Sequence, residues 1–275
     1  MIWGNKDFAL VLTAKHVLQE GVTRIQRPET VTAAPNYFTT QKTTTPSADP
    51  NALRVVWGGP EHSTALNVLY GEYNDELDIA LCLVTIQEGE VGIFAPASVP
   101  IETAVPDVGS VVHMVSMYGL DSTEVAPPVD RSGIGQQILI DWRVSIRVGL
   151  VTGVYPQGHR QYNWPCFTTT IPAEPGMSGG FVYVPRDGGV LGACGIVCAD
   201  CSPDSARFRH DECGSSIVAC SWPALALRGP VGKFSRDEYS LQSLYEMALR
   251  GDLDVLVGGI DHLQCIDGRM CNRTT

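Results

Sequence analysis

The chain has 275 residues, 44% of them hydrophobic and 18% charged, which is the composition of a globular protein with room for one large domain or two small ones. Disorder and fibrous repeats are excluded for the chain as a whole. Nineteen basic residues against thirty acidic ones leave a formal charge of −11, which repels phosphate backbones and anionic lipid heads, so neither nucleic acid nor a membrane is an expected partner.

The first sixteen residues, MIWGNKDFALVLTAKH, contain a short apolar stretch. Asp7 stands where a secretion signal carries only positive charge, and no run approaches the roughly 18 apolar residues of a membrane-spanning helix. These features favour an intracellular or virus-encoded protein. Phe8 to Thr13 reads instead as a buried strand that leads directly onto Ala14-Lys15-His16. Residues 27–53, rich in Thr and Pro, read as a long loop. Short apolar runs bounded by Gly, Pro, Asp or Asn then predict strands at Arg54–Trp57, Ala65–Tyr70, Ile79–Val84, Ser110–Met117 and Gln137–Ile146. The second half continues with Arg147–Tyr155, Cys166–Thr170, Gly180–Val184, Val190–Cys198 and Ser216–Cys220. Helical spacing enters only near the end. Ser235 to Glu238 has the form of a capping box, Leu241, Leu244, Tyr245 and Ala248 recur at helical intervals, and Gly251 can stop the helix.

Three segments carry chemistry: Leu12-Thr13-Ala14-Lys15-His16, Asp78-Ile79-Ala80-Leu81, and Glu174-Pro175-Gly176-Met177-Ser178-Gly179-Gly180. A hydroxyl nucleophile at neutral pH needs a base to take its proton, and the base needs a carboxylate to fix its tautomer and stabilise its positive charge. His16, Asp78 and Ser178 supply that set. Asp78 follows Asp75 and Glu76, yet the apolar Ile79-Ala80-Leu81 behind it argues that this one carboxylate is drawn inward, where only pairing makes burial tolerable. Gly176, two residues before the serine, lets the backbone aim the Gly176 and Ser178 amides at one point, where an oxyanion would develop.

Taken together these segments resemble those of the chymotrypsin-fold, trypsin-like serine proteases, nearer the HtrA-like and viral branches than the secreted digestive enzymes. Thr-Ala-Lys-His is similar to the family's Thr/Ser-Ala-x-His, Asp-Ile-Ala-Leu matches its own Asp-Ile-Ala-Leu, and Pro-Gly-Met-Ser-Gly-Gly is similar to Pro-Gly-Asn-Ser-Gly-Gly. The resemblance covers roughly residues 8–230 and implies an all-β fold of two antiparallel six-stranded β-barrels closed by a C-terminal α-helix. Residues 1–130 would carry His16 and Asp78, 131–234 would carry Ser178, and 235–275 would form the helix and tail. It also implies a serine endopeptidase acting on a polypeptide substrate through an acyl-enzyme, with no metal or other cofactor. Gly195 to Asp200 resembles the family's substrate-pairing strand. The primary pocket would be floored near Pro172 and walled by Cys198, Ala199, Asp200, Ser215 and Ser216. No acidic residue holds the floor position that selects Arg or Lys, so cleavage after basic residues is not expected to dominate. Digestive relatives pair a new amino terminus with an aspartate just before the serine; that position is Met177, so activation of that kind is not expected.

Two other readings compete. A protease fold retained as a binding or scaffold module would have no need of all three residues. Gly176 to Gly180 also spells G-x-S-x-G, and Asp254 and His262 lie downstream, but an esterase elbow runs into a helix whereas Phe181 to Val184 reads as a strand. Nine cysteines leave at least one thiol unpaired if the others are bridged within the chain. Cys194, Cys198, Cys201 and Cys213 lack zinc-knuckle spacing and read as disulfides or buried thiols; a hairpin whose opposed residues sum to 414 would set Cys194 against Cys220. Finally, Met1 to Asp7 is too short for a full strand and turn, so the first barrel is expected to lack its N-terminal strand. A partner or another segment would then cover the edge beside Phe8–Thr13.

Overall fold

A computed structural model describes residues 2–4, 8–19, 54–58, 63–73, 76–85, 98–126, 137–159, 162–174, 176–186, 188–189, 191–200, 216–231, 240–256 and 259–273. The Thr-rich segment, the capping-box pattern at Ser235, and Pro175, Cys201, Cys213 and Ser215 lie outside these residues. The fold is all-β. Among the described residues no helix is long and apolar enough to cross a membrane.

The first sheet contains β1 (Trp3–Gly4), β2 (Phe8–Thr13), β3 (Arg54–Gly58), β4 (Ser63–Tyr73) and β5 (Ala80–Thr85), in the antiparallel order β1-β2-β5-β4-β3. The N-terminal expectation needs correcting. Trp3 pairs with Leu10 and Gly4 with Ala9, and the Ile2 amide donates to the Leu10 carbonyl, so β2 has a neighbour on that side built from residues 2–4. Two ladder positions suffice for this where an average strand would not fit.

The second unit is a closed barrel. Its strands are β7 (Val111–Ala126), β8 (Gln137–Tyr155), β9 (Cys166–Thr169), β10 (Phe181–Tyr183), β11 (Ala193–Asp200) and β12 (Ser216–Cys220), and they run around the ring β7-β8-β9-β12-β11-β10 before β10 pairs back to β7. The runs read as Gln137–Ile146 and Arg147–Tyr155 are one 19-residue strand. β7 pairs with both β8 and β10 and so belongs to this ring. The short β6 (Ile101–Glu102) joins β11 in parallel, and β15 (Val255–Leu256) joins β6 in parallel.

The C-terminal helix, α2, is Leu244–Leu249, shorter and later than its periodicity suggests. Leu241 lies in β14 (Ser240–Ser243), which pairs with β13 (Arg228–Val231). The capping box is made by Ser243 and Glu246: the Ser243 side chain accepts from the Glu246 amide, and the Glu246 carboxylate accepts from the Ser243 amide. Gly251, at φ +77°, follows the end of the helix as expected. The tail then adds a hairpin of β16 (Leu263–Ile266) and β17 (Arg269–Asn272).

Two large hydrophobic clusters stand out among the described residues. Val112, Met114, Phe167, Met177, Val182, Val197 and Val218 form one cluster on the barrel strands and the serine segment. Leu10, Leu12, Ile79, Leu81 and Leu83 of the first sheet pack in the other with Ile196, Cys198 and Ala219 of the barrel and Leu225, Leu244 and Met247 beyond it. Each fully buried aliphatic side chain contributes about 1.5–3 kcal/mol, so this shared cluster holds the sheet against the barrel.

Candidate active site

The meeting of His16 and Asp78 follows from strand register. In the β2–β5 ladder every opposed pair sums to 93, from Phe8 with Thr85 to Thr13 with Ala80. Continuing two positions sets Lys15 opposite Asp78, and the Lys15 amide does donate to the Asp78 carbonyl at 3.2 Å. Residues 15–19 turn into a short helix, α1, which places His16 over the Asp78 side chain. The His16 amide donates to Asp78 Oδ1 at 3.1 Å, and His16 Nδ1 lies 2.8 Å from Asp78 Oδ2. The carboxylate is 7% exposed and both of its oxygens are bonded, as burial of a charge requires. An ionised carboxylate only accepts, so Nδ1 carries the hydrogen in this pair, on a side chain that is 41% exposed. Beneath the pair, the Cys198 thiol donates to the carbonyls of Asp78 at 3.5 Å and Ile196 at 3.3 Å. Its pKa is pushed well above the ordinary thiol value by burial first and by the Asp78 charge second.

Ser178 lies on the connection from β9 to β10. Ile171 and Met177 are buried at either end of the segment before it, and Met177, fully buried, plugs the barrel core. The Met177 amide donates to the Glu174 carbonyl, Gly179 to Val197 and Gly180 to Met177, each near 3.0 Å, and Val197 donates back to Gly180 at 2.8 Å. Among the described residues no backbone carbonyl takes the Gly176 or Ser178 amide. Gly176 has φ +92° and Gly179 φ +88°, conformations that side chains rarely adopt. A Cβ on Gly179 would lie 2.5 Å from Thr13 Oγ1 and 3.5 Å from the Ala14 amide nitrogen. The residue after Ser178 is thus packed directly on the end of the strand that leads into His16, and the three segments read from the sequence come together at one edge of the sheet–barrel junction.

The pocket expectations fare differently. Cys198 is turned into the core beneath Asp78, and Ser216 is fully buried with its hydroxyl 2.7 Å from Thr169 Oγ1, so neither side chain walls an open pocket. Cys198 packs with Ile196 and Ala219 in the cluster shared with the first sheet, and β12, which carries Ser216, is buried at every position. Pro172 is exposed, and its carbonyl accepts from Arg147 Nη1 at 3.3 Å. Ala199 and Asp200 lie on β11 opposite Ile217 and Ser216.

The hairpin register also differs from the expected one. Opposed residues of β11 and β12 sum to 415, moving to 416 past a bulge, so Gly195 rather than Cys194 faces Cys220. Cys194 and Cys198 are free, buried thiols. No cluster of His, Cys, Asp or Glu among the described residues is arranged to hold a metal ion. The segment after Ser178 enters strand β10 and not a helix, contrary to an esterase elbow, and His262 lines a cavity of about 190 Å³ with Thr103, Cys166 and Trp222.

Sequence reading missed the clamp on the serine segment: Arg147 Nη2 bonds Glu174 Oε1 at 2.9 Å. The available signal was a lone charge within the apolar run Val144 to Leu150.

No family model matches the chain, and no curated protein matches it. Solved structures of Rv3671c from M. tuberculosis are similar to it. One, a serine-to-alanine mutant in an inactive form, is 13% identical with TM-score 0.41, covering 81% of this chain and 75% of that one. The inactive and active forms of the Rv3671c protease give 12% and 13% identity, TM-scores of 0.36 and 0.37, and cover 59% and 62% of this chain and 65% and 60% of theirs. At that level of likeness, the all-β architecture rests on the strands and ladders of this chain itself.

Proposed function

We propose that this chain is a serine endopeptidase of the trypsin-like class, with Ser178 as nucleophile, His16 as general base and then acid, and Asp78 as the orienting carboxylate. The observation that carries the reading is the pairing of His16 with the buried Asp78 beside a glycine-flanked serine segment packed on Thr13 and Ala14. Ser178 Oγ attacks the scissile carbonyl carbon as its proton passes to His16 Nε2, and the imidazolium is stabilised by Asp78. The carbonyl electron pair moves onto oxygen, which the Gly176 and Ser178 amides receive. When that pair returns, the C–N bond breaks and the amine leaves with the proton from His16. Water, deprotonated by His16, then releases the acyl group and restores the serine.

The extended substrate pairs with the edge of β11. Beyond Val197, which bonds the serine segment, residues 198–200 meet no described strand on that side. Arg147 pairs with Glu174 at the Pro172 carbonyl, which leaves the Glu174 carboxylate less able to draw Arg or Lys of a substrate to the pocket floor. Met177, packed in the barrel core, stands where digestive relatives have the aspartate that pairs with a new amino terminus, which supports a protein that does not depend on processing of that kind. The likeness of its three motifs to those of the HtrA-like and viral branches supports assigning it nearer to them. A serine-directed fluorophosphonate tests the reading: the wild type is labelled and Ser178→Ala is not, whereas a folded wild type that resists labelling belongs to a non-catalytic binding module.

A further inference from the structure

Resting on the reading of Ser178 as nucleophile, we propose that Arg147 is a positioning residue, a clamp that sets the backbone supplying the oxyanion donors. Ile171, Ala173 and Met177 are buried in the segment before Ser178, while Pro172, Glu174 and Gly176 between them are exposed. Burial therefore pins the segment at residues 171, 173 and 177 but not the exposed positions of its middle, nor Gly176, which stands at φ +92° with no side chain of its own to hold it. Arg147 reaches that middle from β8. One arm of its guanidinium, Nη1, donates to the Pro172 carbonyl at 3.3 Å, and the other, Nη2, donates to Glu174 Oε1 at 2.9 Å. Glu174 passes the constraint on. Its carbonyl accepts from the Met177 amide at 3.0 Å and its own amide points to Met177 Sδ at 3.2 Å, closing the turn that contains Gly176 and ends beside Ser178.

The choice of residue fits the task. A planar guanidinium presents two donors in a fixed fork and can hold acceptors two residues apart on one segment, whereas an ammonium is a single point on a flexible stem. The strand is built to send this side chain inward. Val144, Ile146, Val148 and Leu150 are 53%, 63%, 62% and 45% exposed, while Ser145, Arg147 and Gly149 alternate on the opposite face. The ion pair is itself half open to solvent, with side-chain exposures of 22% and 49%, so it contributes little to stability. Its effect is geometric, because donors aimed at a developing oxyanion lose their advantage when displaced by a fraction of an ångström.

The test compares wild type, Arg147→Met, Arg147→Lys, Glu174→Gln and the Met/Gln double variant. It reads the fluorophosphonate inactivation rate, kcat and KM on a peptide substrate, thermal melting, and amide exchange of the 171–180 segment. Arg147→Met is expected to lower kcat and the inactivation rate roughly 10- to 100-fold, with KM within about threefold and the melting temperature within about 4 °C. Glu174→Gln falls in the same direction, the double variant is no worse than Arg147→Met, Arg147→Lys recovers part of the rate, and faster exchange is confined to residues 172–178. Wild-type kinetics and exchange in Arg147→Met overturn the proposal. So does a loss of rate accompanied by loosening of the whole barrel, which would make Arg147 merely structural. If the wild type itself resists labelling, the serine-nucleophile reading falls, and exchange alone decides the clamp: local loosening upholds it and unchanged protection refutes it.

Discussion

Replacing Gly179 by alanine probes the contact between the serine segment and the His16 strand. The new Cβ would sit 2.5 Å from Thr13 Oγ1, well inside contact distance, on a residue at φ +88°. A left-handed backbone costs an L-residue about 1–2 kcal/mol, and forcing an extra methyl into a packed site costs about 1–3 kcal/mol. The sum, roughly 2–5 kcal/mol, is a large part of the 5–15 kcal/mol typical of a folded domain. The two components can be separated. Thr13→Ala removes the opposing hydroxyl, so in the Gly179→Ala background it should restore about 1–3 kcal/mol and leave the backbone strain of about 1–2 kcal/mol. Urea titration of wild type, both single variants and the double variant gives the four free energies, and fluorophosphonate labelling of the same set reports whether the serine moves with them. Wild-type stability and labelling in Gly179→Ala, or no recovery on adding Thr13→Ala, would refute the packing of this segment on β2.

Asp78→Asn should keep the fold, because an amide oxygen can still accept from the His16 amide, while reversing the hydrogen on the imidazole; kcat should fall about 10⁴-fold with an unchanged circular dichroism spectrum. Glu72 accepts from the Tyr70 hydroxyl at 3.0 Å and the Arg228 amide at 2.8 Å, and burial raises its pKa from 4.5 to about 7. The folded state therefore holds this proton more tightly than the unfolded chain, so its contribution to stability is full below about pH 4.5 and is lost as pH rises towards 7. Glu72→Gln should melt higher than wild type at pH 8, with the gap closing by pH 5; an equal gap at both pH values would contradict the burial argument. Burial also raises the pKa of Cys82 and Cys194 to about 12, whereas Cys265 is exposed. Iodoacetamide at pH 8 with site mapping by mass spectrometry should modify Cys265 in the native protein and Cys82 and Cys194 only after denaturation.

What the sequence determined was local. Apolar runs cut by Gly, Pro and Asp place β2, β5, β9 and β12 to within a residue or two, because a strand needs little beyond a run of that length and something to end it. His16, Asp78 and Ser178 stood out for a related reason: each sits at a strand end or a glycine turn, where a side chain can be presented without breaking a ladder.

Tertiary structure decided partners, faces and register. Along Val144 to Leu150, alternation alone would bury the apolar set, but the barrel exposes it and turns Ser145, Arg147 and Gly149 the other way. A Cβ on Gly149 would meet Ile171 at 2.5 Å, a constraint that exists only once two distant strands lie side by side. Pairing of β13 with β14 claims Leu241, which the periodicity assigned to the helix, and the described helix is capped at Ser243. A one-residue difference in the β11–β12 register removed Cys194 from its expected place opposite Cys220. Two residues at the N-terminus found a partner that their length did not promise, since a ladder already built on β5 needs no full strand to extend it. Chain-local signals specify what an element is; which side it buries, and against what, is settled by the free energy of the assembled core, to which residues far apart in sequence contribute together.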